Sequence, residues 1–188
     1  MDLKSKIILI SGPTASGKSK AALNIAKKLN GEIINADSMQ VYKELNILTA
    51  RPSKTDLNKI DHHLYGFRSV KKEFSSGDWL KLAKKNIKKI RDKNKIPVLV
   101  GGTGLYFKAL TDGLVKIPNI PISFRNKIRR MQNNLGQKKF YSKLLKYDSL
   151  VKNRIDPTDL QRSIRAYEVI SFTKKSIFEW YKLSLIHI

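Results

Sequence analysis

The chain has 188 residues, 41% of them hydrophobic and 28% charged, which suits one domain, or one domain with an insertion, and excludes a wholly disordered chain. It has no cysteine, which excludes disulfides, thiolate zinc sites and cysteine nucleophiles, and no apolar run that approaches the roughly 20 residues of a membrane span or a secretory signal at its start. Lys and Arg number 38 against 15 Asp and Glu, a formal net charge of +23 that points to a polyanionic partner.

Residues 7–10, Ile-Ile-Leu-Ile, are predicted as a buried strand. After a loop over 12–19, a helix is predicted over 17–29, with Ala22, Ile25, Ala26 and Leu29 on one face and lysines on the other, ended by Asn30-Gly31. Residues 32–36 are a second predicted strand. Strand, helix and strand make a βαβ unit, hence a parallel sheet with a right-handed crossover. Residues 43–76 read as irregular. A helix is predicted over 78–93, striped by Leu80, Ala83, Ile87 and Ile90, then a strand over 97–100. A glycine-rich turn over 101–104 leads into a helix from 105. Beyond Pro118 and Pro121 the alternation stops. Residues 122–147 read as purely helical and strongly basic, and Asp156-Pro157 opens a helix over 158–172 with the proline in its first turn. The fold class expected is α/β: a three-layer core with a parallel sheet over 1–117, and a helical region over 118–182. Residues 183–188, Leu-Ser-Leu-Ile-His-Ile, resemble the translation of a transposon-end sequencing adaptor and are read as an artificial tail, with a natural frayed terminus as the alternative.

Gly12-Pro13-Thr14-Ala15-Ser16-Gly17-Lys18-Ser19 matches G-x-x-x-x-G-K-[ST]. Its glycines let the backbone wrap a phosphate, with amide groups and a helix N-terminus aimed at the anion. Lys18 is expected to bridge phosphate oxygens, and the Ser19 hydroxyl to ligate Mg²⁺. The motif implies a di- or triphosphate ligand, not hydrolysis. Asp37-Ser38 follows the second strand, at the carboxyl end where ligands bind in such sheets. A carboxylate there is a candidate general base or water-mediated Mg²⁺ ligand; the plain alternative is a turn or cap aspartate. Thr103, in the turn after the third strand, is placed to donate into the same site. His62-His63 lie in an extended segment that sends neighbours to opposite sides, so they are expected not to share a metal but to be one packed and one exposed imidazole. Arg162 and Arg165 share a helix face, either as a phosphate clamp or as a solvated basic face. The charge has its own alternative. Arginine supplies only nine of the 38 basic residues, so an A+T-rich genome gives the same balance.

Taken in order, several segments resemble the tRNA dimethylallyltransferase family, the isopentenyl transferases that modify the adenine 3′ of the anticodon. They are residues 12–19, Asn35-Ala-Asp37-Ser38-Met39-Gln40-Val-Tyr42, Asp61-His-His-Leu64, Val100-Gly-Gly-Thr103-Gly-Leu-Tyr-Phe107, and the run from Asp156 to Val169. The resemblance implies a P-loop NTPase-like fold that binds not ATP but dimethylallyl diphosphate. Its pyrophosphate would sit in the loop with Lys18, Ser19 and Mg²⁺. Asp37 would accept the proton from the adenine N6 amine, and Thr103 and Arg125 would hold the leaving pyrophosphate. Asp37, Ser38, Met39 and Gln40, together with Gln161, Arg162, Ser163, Ile164 and Arg165, would contact the tRNA anticodon stem-loop. A cytoplasmic monomer with no membrane partner is expected. The rival readings are a P-loop small-molecule or nucleotide kinase, a prenyltransferase acting on free adenylate, and a non-enzymatic RNA-binding module. Two departures stand out. Leu48-Thr-Ala-Arg51-Pro52 lacks the family's usual glycine and lysine, and the family's chains are longer, the remainder being expected to complete the sheet and the tRNA grip.

Overall fold

The computed structural model describes residues 6–185. The chain divides into two compact units, Met1–Gly113 and Leu114–Ile188. The first unit contains four strands, β1 (Ile8–Ser11), β2 (Gly31–Asn35), β3 (His62–His63) and β4 (Ile96–Gly101). They form one sheet in the order β1-β4-β2-β3, and every pairing is parallel. Alternation along the strands sorts the two faces. Ile33, Val98 and Val100 pack with Ala22 and Ala26 of α1 (Lys18–Lys28). Ile34 and Leu99 pack with Trp79, Ala83, Ile87 and Ile90 of α3 (Ser76–Asp92) and Tyr106 of α4 (Gly104–Thr111). This is a three-layer α/β/α core, and each fully buried Ile or Leu contributes roughly 1.5–3 kcal/mol. A capping box starts α3: the Ser75 side chain accepts from Asp78 N, and Asp78 accepts from Ser75 N.

Three expectations are corrected here. The first strand is not buried. β1 pairs with β4 alone and alternates half-buried with exposed positions, leaving Leu9 41% exposed. Residues 43–76 are not wholly irregular, since they hold a 3₁₀ turn at Lys43–Leu45, the short helix α2 (Lys54–Leu57) and β3. His62 and His63 are both half-buried rather than one packed and one exposed. His62 Nδ1 pairs with Ile60 O at 2.7 Å, and His63 Nε2 with Glu32 Oε2 at 2.7 Å.

Glu32 is fully buried in β2 and is the hub of an ion cluster. Lys95 and Lys93 donate to Oε1 at 2.8 and 3.0 Å, while His63 holds the other oxygen. Burial pushes its carboxyl up, but the bonds from Lys95, His63 and Lys93 outweigh burial and hold it at about 2, against an ordinary 4.5. A depressed carboxyl contributes stability above its unfolded value and loses it as pH falls through the folded one. Stability is therefore expected to fall by roughly 2 kcal/mol on this account between pH 4.5 and about 2, reduced from the full shift because Lys93 is half exposed. The gap in unfolding free energy between wild type and Glu32→Gln should close over that window. A gap that stays constant down to pH 2 would contradict the assignment.

The second unit is helical: α5 (Ile122–Tyr147), α6 (Leu160–Thr173) and α7 (Ile177–Leu185). Its core gathers Phe140, Leu144, Val151, Tyr167, Val169 and Ile177. Residues 122–147 are not one continuous helix, because Gly136 takes φ 70 and ψ 162 and breaks α5 in two. α6 starts later than expected. Asp156 accepts from Thr158 N at 2.7 Å in a tight turn, and Asp159, not Pro157, marks the start, accepting from Arg162 N at 2.9 Å. Of the segment read as a tail, residues 183–185 fall within α7 and 186–188 lie outside the described residues. Among the described residues no helix is long and apolar enough to cross a membrane.

Candidate active site

Three turns meet at the carboxyl end of the sheet in the first unit. The first joins β1 to α1. Ala15 and Gly17 both take left-handed backbone, φ 64 and 78, and bend residues 12–17 around the start of α1. Gly17 stands at the helix N-cap with no side-chain cap bond, and no acidic residue lies in the first turn. The leading amides of α1 therefore carry no side-chain cap, an arrangement that suits an anion. Lys18 Nζ reaches back across the loop to Pro13 O at 2.8 Å, and Ser19 follows it on the exposed first turn.

The second turn follows β2. Asn35 is fully buried and builds it: its Nδ2 donates to Asp37 O and Leu64 O, both at 3.0 Å, and its Oδ1 accepts from Asp37 N at 2.9 Å. Asp37 Oδ1 accepts from Met39 N at 2.9 Å, so one carboxylate oxygen closes the turn. A methyl group built on Gly102 would lie 3.4 Å from Gly12 O and 4.0 Å from Asp37 Oδ2. The phosphate loop, the second carboxylate oxygen and the third turn therefore border one space. Asp37 is half-buried, and its charge is felt around it. Burial first, then Asp37, pushes the Tyr65 hydroxyl well above its ordinary value. Burial, then Tyr42 and Asp37, pushes that of Tyr106 up to about 12.

The third turn follows β4. Gly101 is held against the end of β2, where Ala36 N donates to Val100 O at 2.8 Å and Thr103 N to Ala36 O at 3.2 Å. Thr103 does not extend its hydroxyl into open space. Oγ1 accepts from Ser38 N at 2.9 Å and donates to Ser38 Oγ at 3.2 Å, which ties the second and third turns together. Gln40 Nε2 is spent on Thr49 O at 2.7 Å, while Met39 is 52% exposed. In the departing segment, Leu48 keeps ordinary backbone and projects to solvent; the left-handed residue is Ala50, φ 45. Arg51 donates to Lys43 O at 2.8 Å, and its guanidinium packs on Gly66.

The sequence reading missed Asn35 and Trp79 as builders of this site. Trp79 is buried, stacks on Tyr106 at 4.3 Å between centroids and donates from Nε1 to Asn35 O at 2.8 Å. An amide residue closing an apolar strand two positions before Asp37 is the signal that was there to find.

The remaining predicted residues belong to the second unit. Arg125, in the first turn of α5, has its Nε 3.3 Å from Glu168 Oε2. Arg162 pairs with Asp159 at 3.4 Å and is 73% exposed, and Gln161 is exposed beside it. Ser163 and Ile164 face the core instead; Ser163 Oγ accepts from Gln137 at 3.2 Å. Arg165 pairs with Glu168 at 3.3 Å.

Residues 40–186 match the family model described as IPP transferase. The chain belongs to that family. It is 63% identical over 180 residues to a tRNA dimethylallyltransferase of Pelagibacter ubique, covering 96% of this chain and 58% of that one. It is 47% identical to the enzyme of the same name from Rickettsia conorii, covering 96% and 50%. Among solved structures it is similar to a eukaryotic dimethylallyltransferase acting on tRNA, with a TM-score of 0.79 at 30% identity over 94% of this chain and 44% of that one. It is also similar to the tRNA isopentenylpyrophosphate transferase of Bacillus halodurans, with a TM-score of 0.58 at 36% identity over 92% and 57%. The IPP transferase core seen here is the P-loop NTPase-like α/β fold of those structures. The chain spans about half the length of the curated relatives it matches.

Proposed function

We propose that the chain transfers a dimethylallyl group from dimethylallyl diphosphate to N6 of the adenine 3′-adjacent to the anticodon in tRNA, releasing pyrophosphate. The observation that carries the reading is the meeting of an anion-ready loop with the Asp37 carboxylate, in a family whose named members are tRNA dimethylallyltransferases. The pyrophosphate is placed on the amides of residues 12–19 with Lys18 swung from Pro13 O onto its oxygens. As the C1–O bond breaks, charge grows on the leaving group, where Lys18 and the helix terminus stabilise it. The N6 nitrogen then bonds to C1, and its proton passes to Asp37 Oδ2. The adenine must leave the anticodon-loop stack to arrive there.

Thr103 serves by fixing Ser38 and the Asp37 turn. Arg125 keeps its proposed part in holding phosphate. Met39 is the side chain of the 37–40 segment left to touch a base. Gln161, Arg162 and Arg165 contact RNA, while Ser163 and Ile164 support them from the core.

Mg²⁺ fits as a companion of the diphosphate rather than as a caged ion. Among the described residues there is no cluster of three or more His, Asp or Glu, and Ser19 offers one hydroxyl beside the loop. When bound, the ion neutralises charge on the pyrophosphate oxygens. We read the protein as a cytoplasmic monomer.

The test is a transfer assay with labelled dimethylallyl diphosphate, Mg²⁺, and unmodified tRNA or AMP as acceptor. It compares this chain with a version extended to a relative's full length. Label in tRNA supports the reading. ATP-dependent phosphoryl transfer without prenylation would replace it with a kinase, and label only in AMP with an adenylate prenyltransferase. RNA affinity is also expected to fall steeply between 50 and 200 mM salt, since each neutralised phosphate adds about 0.7–0.9 to the log-log slope. A flat response would make the +23 charge compositional.

A further inference from the structure

In the first unit, α3 carries its positive charge on one side. Lys81, Lys84, Lys85, Lys88 and Lys89 are all exposed, at the spacings of three and four that gather residues on one helix face. Trp79, Ala83, Ile87 and Ile90 take the opposite face and are buried. From Lys81 to Lys89 the helix rises roughly 12 Å. Among the described residues none of the five forms an ion pair, whereas other lysines of this unit do: Lys59 pairs with Asp56, and Lys93 and Lys95 with Glu32. The two carboxylates of α3 leave the row uncompensated. Asp78 is turned back onto Ser75 in the capping box, and Asp92 pairs with neither Lys88 nor Lys89. Like charges four apart on a helix repel, and Lys81 with Lys85, Lys84 with Lys88, and Lys85 with Lys89 are such pairs. A polyanion laid along the face relieves that repulsion. The row also has a direction. Trp79 fixes the first turns of α3 at the site, its Nε1 donating to Asn35 O at 2.8 Å at the end of β2. Just past the other end of α3, Lys93 and Lys95 reach Glu32, near the start of β2. The lysines therefore lead away from the site, beginning two residues after its anchor.

We propose that the lysine face of α3 is an interaction surface for the phosphate backbone of RNA, which it meets beyond the nucleotide held at the site. Five ammonium groups on flexible stems suit a repeating charge followed without regard to sequence. They include neither a forked guanidinium for one fixed phosphate nor an aromatic ring for one base. That the polyanion is RNA rests on the function proposed above; the unpaired face itself does not.

The test uses the whole chain with Lys81→Gln, Lys85→Gln and Lys88→Gln combined, glutamine being a comparable helix former. Relief of the repulsion should leave the melting temperature of this variant equal to that of wild type or higher, which separates weaker binding from misfolding. The control combines Lys27→Gln, Lys28→Gln and Lys72→Gln, which removes the same charge from exposed positions elsewhere in the first unit. An anticodon stem-loop RNA is titrated by fluorescence anisotropy between 50 and 200 mM salt. If two of the three lysines neutralise phosphates, the log-log salt slope of the α3 variant becomes shallower by about 1.4–1.8. Its affinity at 100 mM salt is expected to fall at least tenfold, while pyrophosphate affinity stays within twofold and the control loses no more than threefold in RNA affinity.

Equal losses in the two variants would make the effect one of net charge, and an unchanged α3 variant would make the face merely solvated; either overturns the proposal. So would RNA affinity that holds while binding to vesicles of anionic lipid falls, which would give the face to a membrane surface. A loss confined to the α3 variant, in a chain that prenylates no tRNA, keeps the face and removes the function proposed above. Prenylation of tRNA by a chain whose RNA affinity ignores these lysines keeps that function and removes the face.

Discussion

Replacing Asp37 by asparagine is expected to lower the rate of transfer to tRNA by roughly 10²–10⁴-fold, the range for loss of a positioned general base, while pyrophosphate affinity stays within about twofold. Asparagine is the informative substitution because the two carboxylate oxygens have separate duties. Oδ1 accepts from Met39 N, and an amide oxygen at the same place continues to do so. The Asn35 bonds that shape the turn run to the Asp37 backbone and are untouched. Only the second carboxylate oxygen, Oδ2, which is proposed to accept the proton, is replaced. Among the described residues the phosphate loop borders that oxygen without bonding to it, which is why donor binding is expected to persist. Alanine would remove the turn bond as well and mix the two effects. The comparison belongs in the chain extended to full length, with single-turnover rates beside donor titrations. Turnover near the wild-type rate would sink the base assignment, and a large loss of pyrophosphate affinity would recast Asp37 as a binding residue.

Gly101→Ala is expected to destabilise the first unit by roughly 3 kcal/mol, in the upper range for overpacking, and to disable the site with it. The new methyl group would run into the Ala36 carbonyl and approach Asp37 N to 2.7 Å. Both obstacles are backbone, so no side chain can rotate away. That backbone is pinned at the end of β2 by the bond from Ala36 N to Val100 O. Relief requires the two strand ends to part, which moves Asp37 away from the phosphate loop. Gly104→Ala is the control. It begins α4, a methyl group there meets nothing within 4 Å, and it should be neutral or slightly stabilising. Denaturant midpoints of the two variants measure the contrast, and equal midpoints would refute it.

The parts of this molecule that could be read in advance are those whose physics is local. The phosphate loop is eight consecutive residues, and the stripe Ala83, Ile87 and Ile90 of α3 is a helical period. The alternation that sends Ile33 to α1 and Ile34 to α3 is a strand period. What escaped depends on distant partners. Asn35 and Trp79 meet across 44 positions, and Arg125 and Glu168 across 43. No spacing rule marks such pairs. β3 is two residues long and has no run to detect. Gly136 sits within a good helical pattern, which a glycine tolerates, so its reversal of φ left no trace. At the start of α6, Pro157 suits a first turn by its fixed φ, but the helix begins where the Asp159 side chain accepts from Arg162 N.

The position of β1 has a dynamic consequence. This strand bears the phosphate loop directly, yet among the described residues it is hydrogen-bonded on one side only, whereas β4 is bonded on both. Opening β1 breaks half as many ladders per residue, so it should detach at a lower free energy than the rest of the sheet. Its amides are expected to exchange with deuterium well before those of β4, and pyrophosphate seated on residues 12–19 should slow that exchange selectively. The grip on the donor and the integrity of this margin of the sheet would then be two readings of one local folding equilibrium.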